Sequence, residues 1–161
     1  MSGSSVMRAG LLGASICLMS FSAQAAVSPF TPLAGLWSGG GTLSTSDGQQ
    51  ERLRCRAHYS VAPDGAEMRL NLRCASASYN FNLASNVEER RGAIRGSWSE
   101  STRNASGSIS GRAVGDRIEA AAVGQSFSAN LSLTTRRNRQ AVFIRPQGTD
   151  ITSVALTLYR R

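Results

Sequence analysis

Two short segments either side of one turn constrain this chain more than any other feature. From Arg52 to Val61, Leu53, Cys55, Ala57, Tyr59 and Val61 fall on one face, and Arg52, Arg54, Arg56, His58 and Ser60 on the other. Such period-2 alternation marks a half-buried strand. The turn Ala62-Pro63-Asp64-Gly65 follows, in which Pro presets φ and Gly accepts φ > 0. Met68, Leu70, Leu72 and Cys74 then alternate with Arg69, Asn71 and Arg73. The apolar faces are odd-numbered before the turn and even-numbered after it, so paired residue numbers must add to an odd sum. A turn centred on Asp64-Gly65 makes that sum 129, which Cys55 and Cys74 satisfy. The two cysteines then stand directly opposite, with Cα atoms about 4.5–5.5 Å apart, within the ~4.4–6.8 Å that a disulfide tolerates. A tighter turn with a Gly bulge would put them on opposite faces. The expected Cys55–Cys74 bridge closes a loop of about 20 residues and is worth roughly 3 kcal/mol in the chain-entropy model.

Similar strands recur at spacings typical of all-β domains. Tyr79, Phe81 and Leu83 precede the charged turn Glu88 to Gly92. Ile94, Gly96 and Trp98 precede the turn Arg103 to Gly107. Ile109, Gly111 and Ala113 lead to Gly115-Asp116, and Ile118, Ala120 and Ala122 to Gly124. Phe127, Ala129, Leu131 and Leu133 lead to Arg136-Arg137-Asn138-Arg139, Val142 and Ile144 to Pro146-Gln147-Gly148, and Val154, Leu156 and Leu158 close the series. With an opening strand near Leu36 to Thr45, the pattern predicts nine or ten strands. All sequence neighbours can form hairpins, and a sheet of this size leaves costly edges unless it closes. The expected fold is all-β: an antiparallel up-and-down β-barrel of about 8–10 strands, with a β-sandwich as the alternative. Gly39-Gly40-Gly41 reads as a bulge or bend in the opening strand. The interior is expected to be lined by Met68, Leu70, Leu72, Phe81, Trp98, Phe127, Leu131 and Leu133.

Residues 1–25 read as a signal peptide. A short segment bearing Arg8 precedes the apolar run Ala9 to Phe21, and Ala23 and Ala25 form an A-x-A site. Cys17 falls in this segment, after Ile16 rather than the small residue that lipoprotein processing needs. Residues 26–161 form the single barrel domain, with exactly two cysteines left, as a disulfide in an oxidising compartment requires. The expected location is exported, periplasmic or secreted, with no transmembrane segment in the mature chain: no apolar run reaches the ~18 residues of a membrane helix. An outer-membrane barrel would need aromatic girdles, and the aromatic residues are few and scattered.

The stretch Pro29 to Trp37 (PFTPLAGLW) carries a Pro-containing turn into Gly35-x-Trp37 at the start of the first strand. This resembles the calycin superfamily of lipocalins, avidins and related small barrels. The resemblance implies that Trp37 plugs one end of the barrel and that a basic residue of the last strand, here Arg160, packs over it. A guanidinium stacks well on an indole face. The Thr-Asp-x-x-Tyr lipocalin signature is missing, as is a helix before the last strand. Leu33 to Trp37 followed by a cysteine pair is also similar to small secreted bacterial metalloprotease inhibitors, and the mature chain to small secreted proteobacterial proteins of unassigned function.

Catalytic chemistry has little to work with. His58 is the lone histidine, and no His/Cys/Asp cluster has metal-ligand spacing. No Gly-x-Ser-x-Gly elbow occurs, and the triple glycine lacks the helix of a phosphate loop. The expectation is a non-enzyme without metal or cofactor. Net charge is +8, carried by 18 Arg and no Lys. At the proposed register Arg56 faces Arg73, with Arg52, Arg54 and Arg69 on the same side, and Arg136, Arg137 and Arg139 add a basic loop. Like charges across a sheet oppose folding, so this face is a candidate anion-binding surface. Aromatic residues do not interleave with it, so no nucleic acid is expected. The leading reading is a binding protein for a small apolar or amphipathic ligand. The alternatives are an inhibitor or interaction protein acting on another exported protein, and a binder of polyanions or lipid head groups.

Overall fold

A computed structural model describes residues 27–161, so the expected signal peptide lies outside the described residues. After a 3-10 turn at Thr31–Leu33, the chain forms β1 (Gly35–Thr45), β2 (Gln50–Val61), β3 (Glu67–Ala75), β4 (Asn80–Arg90) and β5 (Ala93–Glu100). It continues through β6 (Ala105–Val114), β7 (Arg117–Gly124), β8 (Ser128–Arg136), β9 (Arg139–Gln147) and β10 (Ile151–Arg160). Each strand pairs antiparallel with its sequence neighbours, and β10 returns to β1. The sheet is a closed ten-strand up-and-down barrel, not a sandwich.

The strand alternation sets the wall. On β2, Leu53, Cys55, Ala57 and Tyr59 are buried inside while the arginines between them face out. Cys55 pairs with Cys74 in the expected register, and the two form a disulfide on the inner face. Their Cα atoms are 4.1 Å apart, closer than the spacing anticipated from sequence.

Three expectations need correction. The triple glycine is not a bulge: Gly39, Gly40 and Gly41 pair without interruption on both sides, and the register shift falls at Ser44/Thr45. These residues are glycines because neighbouring backbone comes too close. A Cβ on Gly41 would collide with the carbonyl of Ala155, and one on Gly40 with that of Leu53. Second, the charged turn at Glu88 to Gly92 is only the two residues Arg91-Gly92, both at positive φ, because cross-strand pairing extends as far as Arg90 and Ala93. Third, the turn placed at Arg103 to Gly107 ends at Asn104: Ala105 already pairs with Glu100, and β6 runs on through Gly107.

Removing the disulfide is a direct check on this register. The Cys55→Ser/Cys74→Ser variant is expected to lose about 3 kcal/mol of unfolding free energy in a urea titration, with the wild type showing no free thiol. An unchanged midpoint, or two titratable thiols in oxidised protein, would show that the bridge does not hold β2 to β3.

Candidate functional site: a plugged barrel with an open end

One end of the barrel is sealed by the segment before β1. Phe30 and Leu33 are fully buried there, and Ser28 Oγ ties the segment to the β2–β3 turn by donating to the carbonyl of Gly65 at 2.5 Å. Trp37 is buried above them and donates its indole N–H to the Leu33 carbonyl at 2.7 Å. The barrel closure places Arg160 directly across from Trp37, with its guanidinium 4.5 Å from the ring centroid. The same guanidinium donates to the carbonyls of Ala34 and Pro32, so it clamps the plug segment as well as covering the indole. Gly35 begins the strand at φ 112°, a conformation that side chains rarely adopt.

Just inside the plug lies a polar chain that the sequence reading missed. Tyr59 Oη donates to Gln140 Oε1 at 2.8 Å, and Gln140 Nε2 donates to Thr135 Oγ1 at 3.3 Å. All three residues are buried. Burial pushes the Tyr59 hydroxyl well above the usual phenol range, against the opposing effect of its bond to Gln140. The only sequence signal was that Gln140 continues the inward parity of Val142 and Ile144.

The opposite end is built differently. Toward it, Gly107, Ala122, Gly124 and Ala129 place small residues inward beside the larger Ile109 and Leu131. Leu72, Phe81, Ile109, Leu131 and Ile144 point inward yet are only half-buried, as is Leu70 nearer the plug, opposite Tyr59. Of the expected lining residues, Met68, Trp98 and Leu133 are buried, while Leu70, Leu72, Phe81, Phe127 and Leu131 are half-buried. Trp98 lies over the paired glycines Gly107 and Gly124, and a Cβ on Gly124 would come within 3.1 Å of the indole. Phe127, in the β7–β8 loop, meets Trp98 edge-on at 5.5 Å. The indole N–H of Trp98 is buried without a hydrogen-bond partner.

The rim of this end is polar. Tyr79, from the β3–β4 loop, donates to Asp150 of the β9–β10 loop at 2.5 Å. Arg103 stands over the Phe81 ring and pairs with Glu100 at 3.5 Å. Burial works against the charge of Glu100, yet its carboxyl is held below its ordinary value of 4.5. The Thr102 hydroxyl and the backbone N–H groups of Asn82, Thr102 and Arg103 all donate to it and outweigh the burial.

The arginines sort into several groups. Arg54, Arg56 and Arg73 line one outer trough across β1 to β4, where Arg161 joins them. Arg52 is outside it, and Arg69 lies in a separate depression beside Glu67 and Glu88. Arg136 is committed to Asp116 at 2.6 Å, so it is not a free anion ligand. Arg137 occupies the β8–β9 turn, and Arg139 faces Arg136 across it. His58 sits in the trough's extension beside Leu36. Among the described residues, no group of three or more His, Cys, Asp or Glu could hold a metal.

The Glu100 network yields a pH-dependent expectation. Its folded-state pKa lies below the unfolded one, so its stabilisation is present above about pH 4.5 and is lost as pH falls through the folded value. Glu100→Gln is expected to cost about 1–3 kcal/mol at neutral pH. Thermal melts of the two proteins should converge as the pH drops below 4.5, and a gap that stays constant would exclude the charged form as the cause.

No protein-family model matches the chain, and no curated protein does. Solved structures do. Rv2717c from M. tuberculosis superposes with a TM-score of 0.62 at 12% identity, covering 81% of this chain and 94% of that one. An S-type phycobiliprotein lyase, CPES from Guillardia theta, gives 0.60 at 10% identity, covering 82% and 90%. At these identities the likeness is one of fold alone.

Proposed function

We propose that this is an exported, non-catalytic binding protein that holds a small apolar or amphipathic ligand in the open half of its barrel. The carrying observation is the buried, unpartnered N–H of Trp98. A buried donor without an acceptor costs about 1–3 kcal/mol, and a ligand oxygen would remove that cost. The surroundings suit such a ligand. An eight-strand barrel is about filled by its own side chains, whereas this one has ten strands and a wall rich in Gly and Ala. The sealed end, with its plug and satisfied polar chain, supplies a floor. The two structural neighbours support the architecture, and one of them is titled a phycobiliprotein lyase. The inner-face disulfide is consistent with export.

Two experiments test this reading. Native mass spectrometry of protein purified from an oxidising periplasm is expected to show a non-covalent mass that denaturation removes. In parallel, the dye 1-anilinonaphthalene-8-sulfonate should bind the wild type, bind Trp98→Phe several-fold more weakly and fail to bind Leu131→Arg. A clean apo mass, together with dye binding that Leu131→Arg leaves intact, would overturn the proposal.

A further inference from the structure

The outer trough has a design that the interior does not explain. Arg56 and Arg73 are direct cross-strand neighbours, where like charges oppose folding. Arg54 lies on the same face of β2, and Arg161 reaches in from beyond β10, held by a 2.6 Å bond from its Nε to Ser38 Oγ. Neutral Asn80 and Asn82 complete the lining. Among the described residues, no Asp or Glu lines the trough and none of these four arginines makes an ion pair. Acidic partners are nonetheless used elsewhere: Arg90, Arg103, Arg117 and Arg136 all have one. The repulsion is imposed by covalent means, because the disulfide on the inner face fixes β2 to β3 directly beneath Arg54, Arg56 and Arg73.

Apolar side chains accompany the charge. Leu36 is 57% exposed and pairs with His58 in the trough's extension, and Tyr159 is 55% exposed and pairs with trough-lining Ser38. Cationic forks with an exposed leucine and tyrosine beside them match the layered chemistry of a lipid head-group region, where phosphates meet the edge of the acyl layer. A forked guanidinium takes a phosphate bidentately. We infer that this face docks on an anionic lipid surface, with the trough receiving lipid phosphates. The trough runs up to Asn80 and Thr102 at the open rim, so docking would bring that end close to the bilayer.

The test uses the oxidised chain from Ala26 onward and sedimenting vesicles of phosphatidylcholine, alone or mixed with phosphatidylglycerol. Binding is expected only to the mixed vesicles and should fall steeply with added sodium chloride. Arg56→Gln/Arg73→Gln should weaken it at least tenfold, while its melting temperature stays level or rises as the like-charge pair disappears. Arg112→Gln/Arg145→Gln removes the same charge from the opposite wall and should have little effect. Protein that remains in the supernatant with mixed vesicles overturns the inference, as does equal weakening in both double variants. Saturable binding of inorganic phosphate without vesicle binding also overturns it, making the trough a small-anion site.

Discussion

Everything in this molecule depends on β10 pairing with β1. Without that seam the chain is a meander with two raw edges, and ten strands of apolar-in, polar-out alternation have nothing to enclose. The seam works because β1 has no side chains where the neighbouring backbones press closest: Gly39 and Gly41 face β10, and Gly40 faces β2. It also supplies the covering of Trp37, since only a closed sheet brings Arg160 opposite the indole. Closure thus delivers the plug, the sealed floor and the joining of Arg161 to arginines 88 or more positions earlier in the chain.

Much of this architecture was legible in the residues, for identifiable reasons. Alternation is a local property, so strand faces could be read directly, and the Cys55–Cys74 pair pinned one register without ambiguity. Trp37 and Arg160 came together through a resemblance of fold rather than through spacing. What stayed hidden depends on three-dimensional juxtaposition. Gln140 is an unremarkable polar residue until the barrel curls and sets it against Tyr59. The depletion of carboxylates around Arg56 and Arg73 is equally invisible, because Glu51 is taken up by Ser76 and Ser78 and Glu67 lies further along β3 beside Arg69. The bulge reading of the glycine triplet failed because a bulge and a close backbone approach both favour glycine. Only the identity of the atoms nearby separates the two.

The two ends of the barrel divide their work by polarity. At the sealed end each buried polar group is matched, from the Trp37 indole through Tyr59 to Gln140. At the open end one indole is matched to nothing, and glycine and alanine stand among the larger inward side chains. Stability is concentrated where the chain ends are gathered, and permissiveness where the loops of β3–β4, β5–β6 and β7–β8 meet.

The connectivity carries a kinetic consequence. Every strand pairing but one is a hairpin between sequence neighbours, which can zip in succession at little loop-closure cost. The exception joins groups up to 128 positions apart, so the seam is the non-local step that sets the pace of folding. Until it forms, β10 presents an unpaired edge bearing Val154, Leu156 and Leu158, while β1 offers an edge of bare glycine backbone. The barrel's vulnerable moment is therefore a race between joining its own ends and pairing with another chain. Substitutions along β1 would act first on that race, through yield and aggregation, before they acted on the finished protein.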